Sequence, residues 1–132
     1  MQHTSLLFVA RILLGLLFLI AGLGKLGNVE GFGLYMATGG IPAVLAWPVV
    51  LFEIGAGLAL IAGFQTRITA IALAAFCVLS GVLYHFDPAD QMQMTQLLKN
   101  LGLAGGYLAV FITGAGAWSL DARMGRDVAV TA

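Results

Sequence analysis

Apolar residues fall in four long blocks along this chain, at about 5–26, 43–64, 67–86 and 99–119, and shorter, more polar stretches separate them. Each block approaches the ~20 residues that carry an α-helix across a ~30 Å hydrocarbon core. None alternates apolar and polar residues with period two, so a β-barrel is not expected. In lipid, every backbone N–H and C=O needs a partner inside the protein. The pattern therefore predicts an all-α integral membrane protein, a four-transmembrane-helix bundle forming one membrane domain over residues 1–122. "MGRDVAVTA" carries no pattern, and residues 123–132 are expected to be a mobile cytoplasmic tail.

Breakers and caps refine the boundaries. "NVEGFGLYMATGG" offers Asn28 as an N-cap, Glu30 in the first turn and Gly39–Gly40 as a stop. It is too short and glycine-rich to span, and predicts a short interfacial helix between the first two spans. Pro42 suits the first turn of the second span, while Pro48 either bends that span or marks its true start. "HFDPADQMQMTQ" is expected to be a polar outer loop, and Trp47 and Trp118 fall where interfacial anchors are expected.

Composition agrees with a membrane location. The 132 residues are 61% hydrophobic and only 9% charged, whereas a soluble domain carries about 25% charged residues. "MQHTS" has no Lys or Arg, no A-x-A site follows, and Arg11 interrupts the apolar run, so the first block is expected to stay as a helix rather than leave as a signal peptide. Formal net charge is zero and no basic run is present, so nucleic acid is not an expected partner. The single Cys77 excludes a dithiol, an internal disulfide and a four-cysteine metal site. Arg67, Arg123, Arg126 and Arg11 sit toward one side of the four spans, and Lys25 and Lys99 toward the other. By the positive-inside rule both termini are expected in the cytoplasm.

The few charges carry the candidate chemistry. At 100° per residue, Arg11 and Lys25 fall within about 40° of one stripe of the first helix, together with Gly15 and Gly22. Arg67 and His85 are separated by about five full turns of the third. Lys99 and Asp121 align similarly if the last helix continues that far. Ionisable groups in membrane spans face the bundle interior or water, and small residues on their stripe let helices approach. Two polar layers are expected. The inner one gathers Arg11, Arg67 and Asp121, and reads as structural: arginines reaching the interface beside a neutralising acid. The outer one gathers Lys25, His85, Lys99 and Asn100, with Glu53 roughly 10–15 Å below the outer surface.

A carboxylate at that depth needs a proton or a partner. Lys25 or Lys99 can reach down to it, or His85 can share its proton. One reading is a buried ion pair that fixes helix register. The other is a site for a polar or redox-active small molecule, with Tyr35, Met36 and Phe86 as an apolar wall. Lys25 and Lys99, with His85 when protonated, outnumber Glu53 and would favour a partly anionic or carbonyl-rich guest, such as a quinone, a phenolate or a carboxylate solute. Two other matches carry little. "GLGKLG" fits G-x-G-x-x-G but lacks the preceding strand that a dinucleotide site requires. His3 and His85 do not form a convincing haem pair, and no metal site is expected. A small-solute carrier fits poorly, for want of paired internal repeats.

The ordered pieces "ARILLGLLFLIAGLGKL", "GGIP", "FEIGAGLALIAGFQTRITAIAL", "HF", "KNLGLAGGYL" and "GAGAWSLD" resemble the DoxX family of small bacterial membrane proteins, over about residues 8–122. The resemblance implies a multi-pass protein of the bacterial inner membrane with four helices. It implies an oxidoreductase component, since members are linked to quinone-coupled thiosulfate oxidation or to aromatic-compound and thiol-stress responses. Close relatives serve as accessory or assembly subunits, which is the alternative. Arg11, Lys25, Glu53, Arg67, His85, Lys99, Asn100 and Asp121 are the polar positions carried over. In this expectation Lys25, Lys99 and Asn100 bind a ring carbonyl, and Glu53 and His85 exchange protons. A bound quinone is the implied cofactor. The chain shows no redox centre of its own, so a protein partner or a homo-oligomer in the lipid membrane is expected.

Overall fold

The computed structural model describes residues 3–126, and among these the chain is helical between its turns, with no strand. The last six residues of the expected mobile tail lie outside the described residues. Helix α1, Thr4–Lys25, runs through a short 3-10 turn at 26–28 into α2, Val29–Thr38. Asn28 caps α2 by accepting from the Gly31 N–H at 2.9 Å, and Glu30 adds a favourable charge in the first turn. A second 3-10 turn at 43–45 leads into α3, Ala46–Ala62, with Pro48 in its first turn, where a missing N–H leaves no bond unmade. Helix α4 is Thr66–His85, α5 is Gln91–Thr113, and α6 is the single turn Leu120–Arg123. Among the described residues, three helical stretches are long and apolar enough to cross a membrane: Thr4–Thr38, Ala43–Ala62 and Thr66–His85.

The fourth apolar block differs from expectation at both ends. Helix α5 begins at Gln91, inside the stretch read as a polar loop, because the Asp90 carboxylate accepts from the N–H groups of Met92 and Gln93. It ends at Thr113 because Gly114 takes φ +79, a left-handed conformation that breaks the helix. Asp121 is therefore on α6 and shares no helical stripe with Lys99.

Packing makes two close pairs, α1 with α3 and α4 with α5, while α3 and α4 touch only sparsely. The first pair depends on Gly15 and Gly57. A Cβ on Gly15 would stand 2.7 Å from the Gly57 carbonyl oxygen, and one on Gly57 would stand 2.7 Å from the Gly15 oxygen. The backbones are thus in direct contact, which only glycine permits. Between the pairs lies an aromatic and aliphatic core: Phe18, Phe76, Tyr107, Leu60 and Leu73. Phe18 and Phe76 meet edge to face at 5.5 Å, and the buried Tyr107 hydroxyl donates to the Leu14 carbonyl at 3.0 Å, tying α5 to α1. Large apolar side chains such as Leu13, Leu51, Ile68, Leu98 and Ile112 remain exposed around the outside of all four long helices.

Candidate functional site

The close α1–α3 packing positions Glu53. At Gly22 the backbone of α1 passes over the Glu53 stem, so that even a Cβ there would lie 3.1 Å from Glu53 Cβ. Three residues further along, Lys25 ends α1 and turns its ammonium onto the carboxylate. Nζ lies 2.8 Å from Oε2 and 3.1 Å from Oε1, and it also reaches the Ala21 carbonyl at 3.4 Å. The Phe32 ring of α2 sits beside the ammonium, 4.9 Å from Nζ to the centroid. Glu53 is buried and Lys25 is half-buried. Of the partners expected for Glu53, the structure selects Lys25.

This pair faces a cavity of about 490 Å³ between the two helix pairs. Phe18, Ala21 and Phe76 wall it on the core side. Tyr35 and Met36 close it from α2, which is fastened to α4 by a 2.7 Å bond from the Tyr84 hydroxyl to the Met36 carbonyl. The Tyr35 and Tyr84 rings stack at 5.1 Å over that bond. Asn100 of α5 and Ser80 of α4 face each other across the lining, with Asn100 Nδ2 3.4 Å from Ser80 Oγ. His85 also lines the cavity, and its Nδ1 lies 2.8 Å from Gln93 Oε1, linking the end of α4 to the start of α5.

Lys25, Glu53, His85 and Asn100 thus line one cavity, as do Tyr35 and Met36. Lys99 and Phe86 do not: both are exposed and absent from the lining. Lys99 is turned about 100° away from Asn100 on the same helix, and the Asn100 direction is the one that meets α4. With Lys99 outside, the lining holds Lys25, Glu53 and His85, so the expected excess of positive charge loses one of its two lysines. The sequence reading missed Cys77, Ser80 and Tyr84. Their spacing of three and four residues marks a helical face toward the cavity, and that periodicity was the available signal.

Arg11, Arg67 and Asp121 form a different kind of arrangement. The wholly buried Arg11 donates to the Trp118 carbonyl, with the Phe8 ring 5.7 Å from its guanidinium carbon. Arg67 donates to the Phe111 carbonyl and, at 3.1 Å, to that of Ile112, where α5 runs out of internal partners. Asp121 caps α4 from a distant part of the chain, its carboxylate accepting from Gln65 N–H at 2.9 Å and Thr66 N–H at 2.8 Å. Its own N–H donates to the Gly63 carbonyl at 2.8 Å. Burial pushes the Asp121 carboxyl up, but the Thr66 and Gln65 amides and the Arg126 charge outweigh it and hold the group below its ordinary value. These residues hold helix ends and a turn, and none of them lines the cavity.

Among the described residues no three His, Cys, Asp or Glu side chains come together to hold a metal ion. No solved structure matches the chain. It is 41% identical over 118 residues to Inner membrane protein YqjF of Escherichia coli K12, covering 89% of this chain and 91% of that protein. Inner membrane protein YphA of the same organism is 34% identical over 125 residues, covering 89% of each. The DoxX family model matches residues 6–86, which include Lys25, Glu53, Cys77, Tyr84 and His85. With more than half its length matched by that model and nearly all of it by these relatives, the chain belongs to the DoxX family.

Proposed function

We propose that the cavity binds a quinone- or phenol-type ring, and that the protein acts as a ring-binding component of a redox system with a partner protein. The observation that carries this reading is the Lys25–Glu53 pair facing a cavity of about 490 Å³ with aromatic walls. That volume falls within the ~300–1,000 Å³ of small-molecule sites, and apolar walls with a few convergent polar groups are their usual form. The rings of Phe18, Phe32 and Phe76 suit a planar guest, and the residues present fit it. A bound quinone or phenol would supply the exchange of electrons and protons, with the partner's redox centre as the other electron carrier. Lys25 and Asn100 are the donors available to a ring oxygen, and Glu53 and His85 can hold or release a proton beside it.

In this reading α5 is the fourth span. Its exposed Leu98, Leu101, Leu108 and Ile112 support that, since such side chains suit lipid better than water. Helix α2 lies at the outer interface and both termini face the cytoplasm. The names of both relatives support an inner-membrane location.

The test is purification in mild detergent without added quinone, followed by mass spectrometry of extracted small molecules. Wild type is compared with Glu53→Gln and Lys25→Met. A stoichiometric quinone or phenol in the wild type, lost from well-folded variants, supports the ring site. Phospholipid alone, equal in all three, refutes it. That result would favour a non-catalytic accessory or assembly subunit in which the pair sets helix register.

A further inference from the structure

The two ends of the bundle carry opposite charge on their surfaces. At the end with α2 and the α4–α5 turn, the exposed Glu30, Asp87 and Asp90 outnumber the exposed Lys99. At the other end, where the α3–α4 turn meets α6, Arg123 and Arg126 are exposed and Arg67 is half-buried. The acid there among the described residues is Asp121, only 6% exposed, with both carboxylate oxygens on the Gln65 and Thr66 amides. Its charge is spent inside the fold, so the arginines set the sign of that surface. Arg126 lies over the Phe64 ring, 5.9 Å from its centroid, and its charge also acts on Asp121. Arg123 has no side-chain partner among the described residues.

Large apolar side chains are exposed beside these arginines: Phe64 on the turn, and Trp118, Leu120 and Met124 around α6. Leu120 and Met124 are one helical turn apart and share a side. Trp118 is held from behind, its ring edge to face on Phe8 at 5.7 Å and its carbonyl accepting from Arg11, yet the side chain stays 59% exposed. Such a surface suits a molecule that is anionic at one point and hydrocarbon a few ångströms away. A free phosphate would leave the apolar part unused, and a zwitterionic lipid brings a cation that the arginines repel. We infer that the α6 end of the bundle is a docking surface for anionic phospholipid. Arg123 and Arg126 meet the phosphate, while Trp118, Leu120 and Met124 enter the boundary between headgroups and acyl chains, the usual division of labour in an interfacial segment. This inference does not depend on the ring-binding reading of the cavity.

The test uses the two tryptophans, Trp47 and Trp118, which lie at opposite ends of the bundle. Full-length Trp47→Phe protein, reporting from Trp118, is placed in phosphatidylcholine vesicles holding equal fractions of brominated phosphatidylglycerol or brominated phosphatidylcholine. Fluorescence quenching gives the relative association constant of the two lipids. Phosphatidylglycerol should be favoured at least about fivefold, the effect of one arginine near an anionic surface. Arg123→Gln should reduce that preference at least about twofold, Arg123→Lys should keep it, and Arg123→Gln/Arg126→Gln should bring it close to one. Arg126 also neighbours Asp121, so Arg123→Gln alone carries the test if the double variant does not fold. Molar salt should remove the preference by screening. Trp118→Phe protein, reporting from Trp47 beside the acidic end, should show none. Equal quenching by both lipids at Trp118 overturns the inference, as does an equal preference at Trp47 or a preference that survives in the folded arginine variants. If inorganic phosphate abolishes the preference at an ionic strength where chloride does not, the patch takes a free anion and the lipid assignment falls.

Discussion

Removing the two partners of the Lys25–Glu53 pair should have unequal consequences. At 2.8 Å the gross attraction is roughly 6 kcal/mol at an effective dielectric of about 20, before the cost of taking both groups out of water. Exposure decides what each deletion leaves behind. The Glu53 side chain is 5% exposed and that of Lys25 is 26% exposed. Lys25→Met strands a carboxylate with almost no access to water, so the loss should approach about 3 kcal/mol. Glu53→Gln leaves the lysine an acceptor and a path to solvent, and should cost about 1 kcal/mol. In Lys25→Met/Glu53→Leu both charges are gone, and stability should return to within about 1 kcal/mol of wild type. The double variant should thus recover about 3 kcal/mol relative to the summed losses of the two single variants. Unfolding by SDS in mixed micelles gives these differences, and ring binding to the same samples separates stability from function. The double variant should be stable and unable to bind. Glu53→Gln costing more than Lys25→Met would refute the exposure argument, and a stable double variant that still binds would remove the pair from the site.

Other expectations follow from single contacts. Gly57→Leu should prevent accumulation of folded protein and Gly57→Ala should cost about 1–3 kcal/mol, whereas Gly55→Ala, with open space around it, should be nearly neutral in the same unfolding assay. Asp121→Ala leaves the Gln65 and Thr66 amides without their cap and should cost about 2 kcal/mol, read as a lowered Tm. Because folding lowers the Asp121 pKa, its contribution is complete above the ordinary carboxylate range and is lost as pH falls through the lowered folded value. Wild type should therefore lose Tm on acidification more steeply than Asp121→Ala. Tyr84→Phe removes the bond to Met36 and should speed amide exchange over Tyr35–Thr38 without changing exchange in α5. Lys99→Met, on an exposed outer face, should leave ring binding unchanged.

Helices and their near neighbours were legible where the cause is local. Apolar runs of about twenty residues specify α1, α3 and α4, and the Asn28 cap specifies the start of α2. Glu53 drew attention because a carboxylate among apolar residues needs a partner, and Lys25 supplies it. The start of α5 was hidden because Gln91–Gln96 has no apolar face to give it a period, leaving Asp90 as the main signal. Choosing between Lys99 and Asn100 required knowing how α5 is rotated against α4, which charge counting does not contain. Asp121 capping α4 was beyond reach for a stronger reason. The groups it satisfies are 55 and 56 residues away, and the turn that brings α6 to them exists only in the folded bundle.

The two ends of the bundle are held differently, and the difference bears on where a ligand can enter. At one end, Arg11, Arg67 and Asp121 bind backbone groups at Trp118, Phe111 and the start of α4, so helix termini and the α3–α4 turn are locked to one another. At the other end the fastenings are between side chains or through one hydroxyl: Lys25 to Glu53, Tyr84 to Met36, His85 to Gln93. Each can open without unmaking a helix. Between the two helix pairs the contacts are sparse, α3 meeting α4 through the Phe52 and Phe76 rings at 5.4 Å, while the turn between α3 and α4 is capped by Asp121. The cavity therefore lies toward the end of the bundle held by side-chain fastenings, away from the end where Asp121 caps the α3–α4 turn.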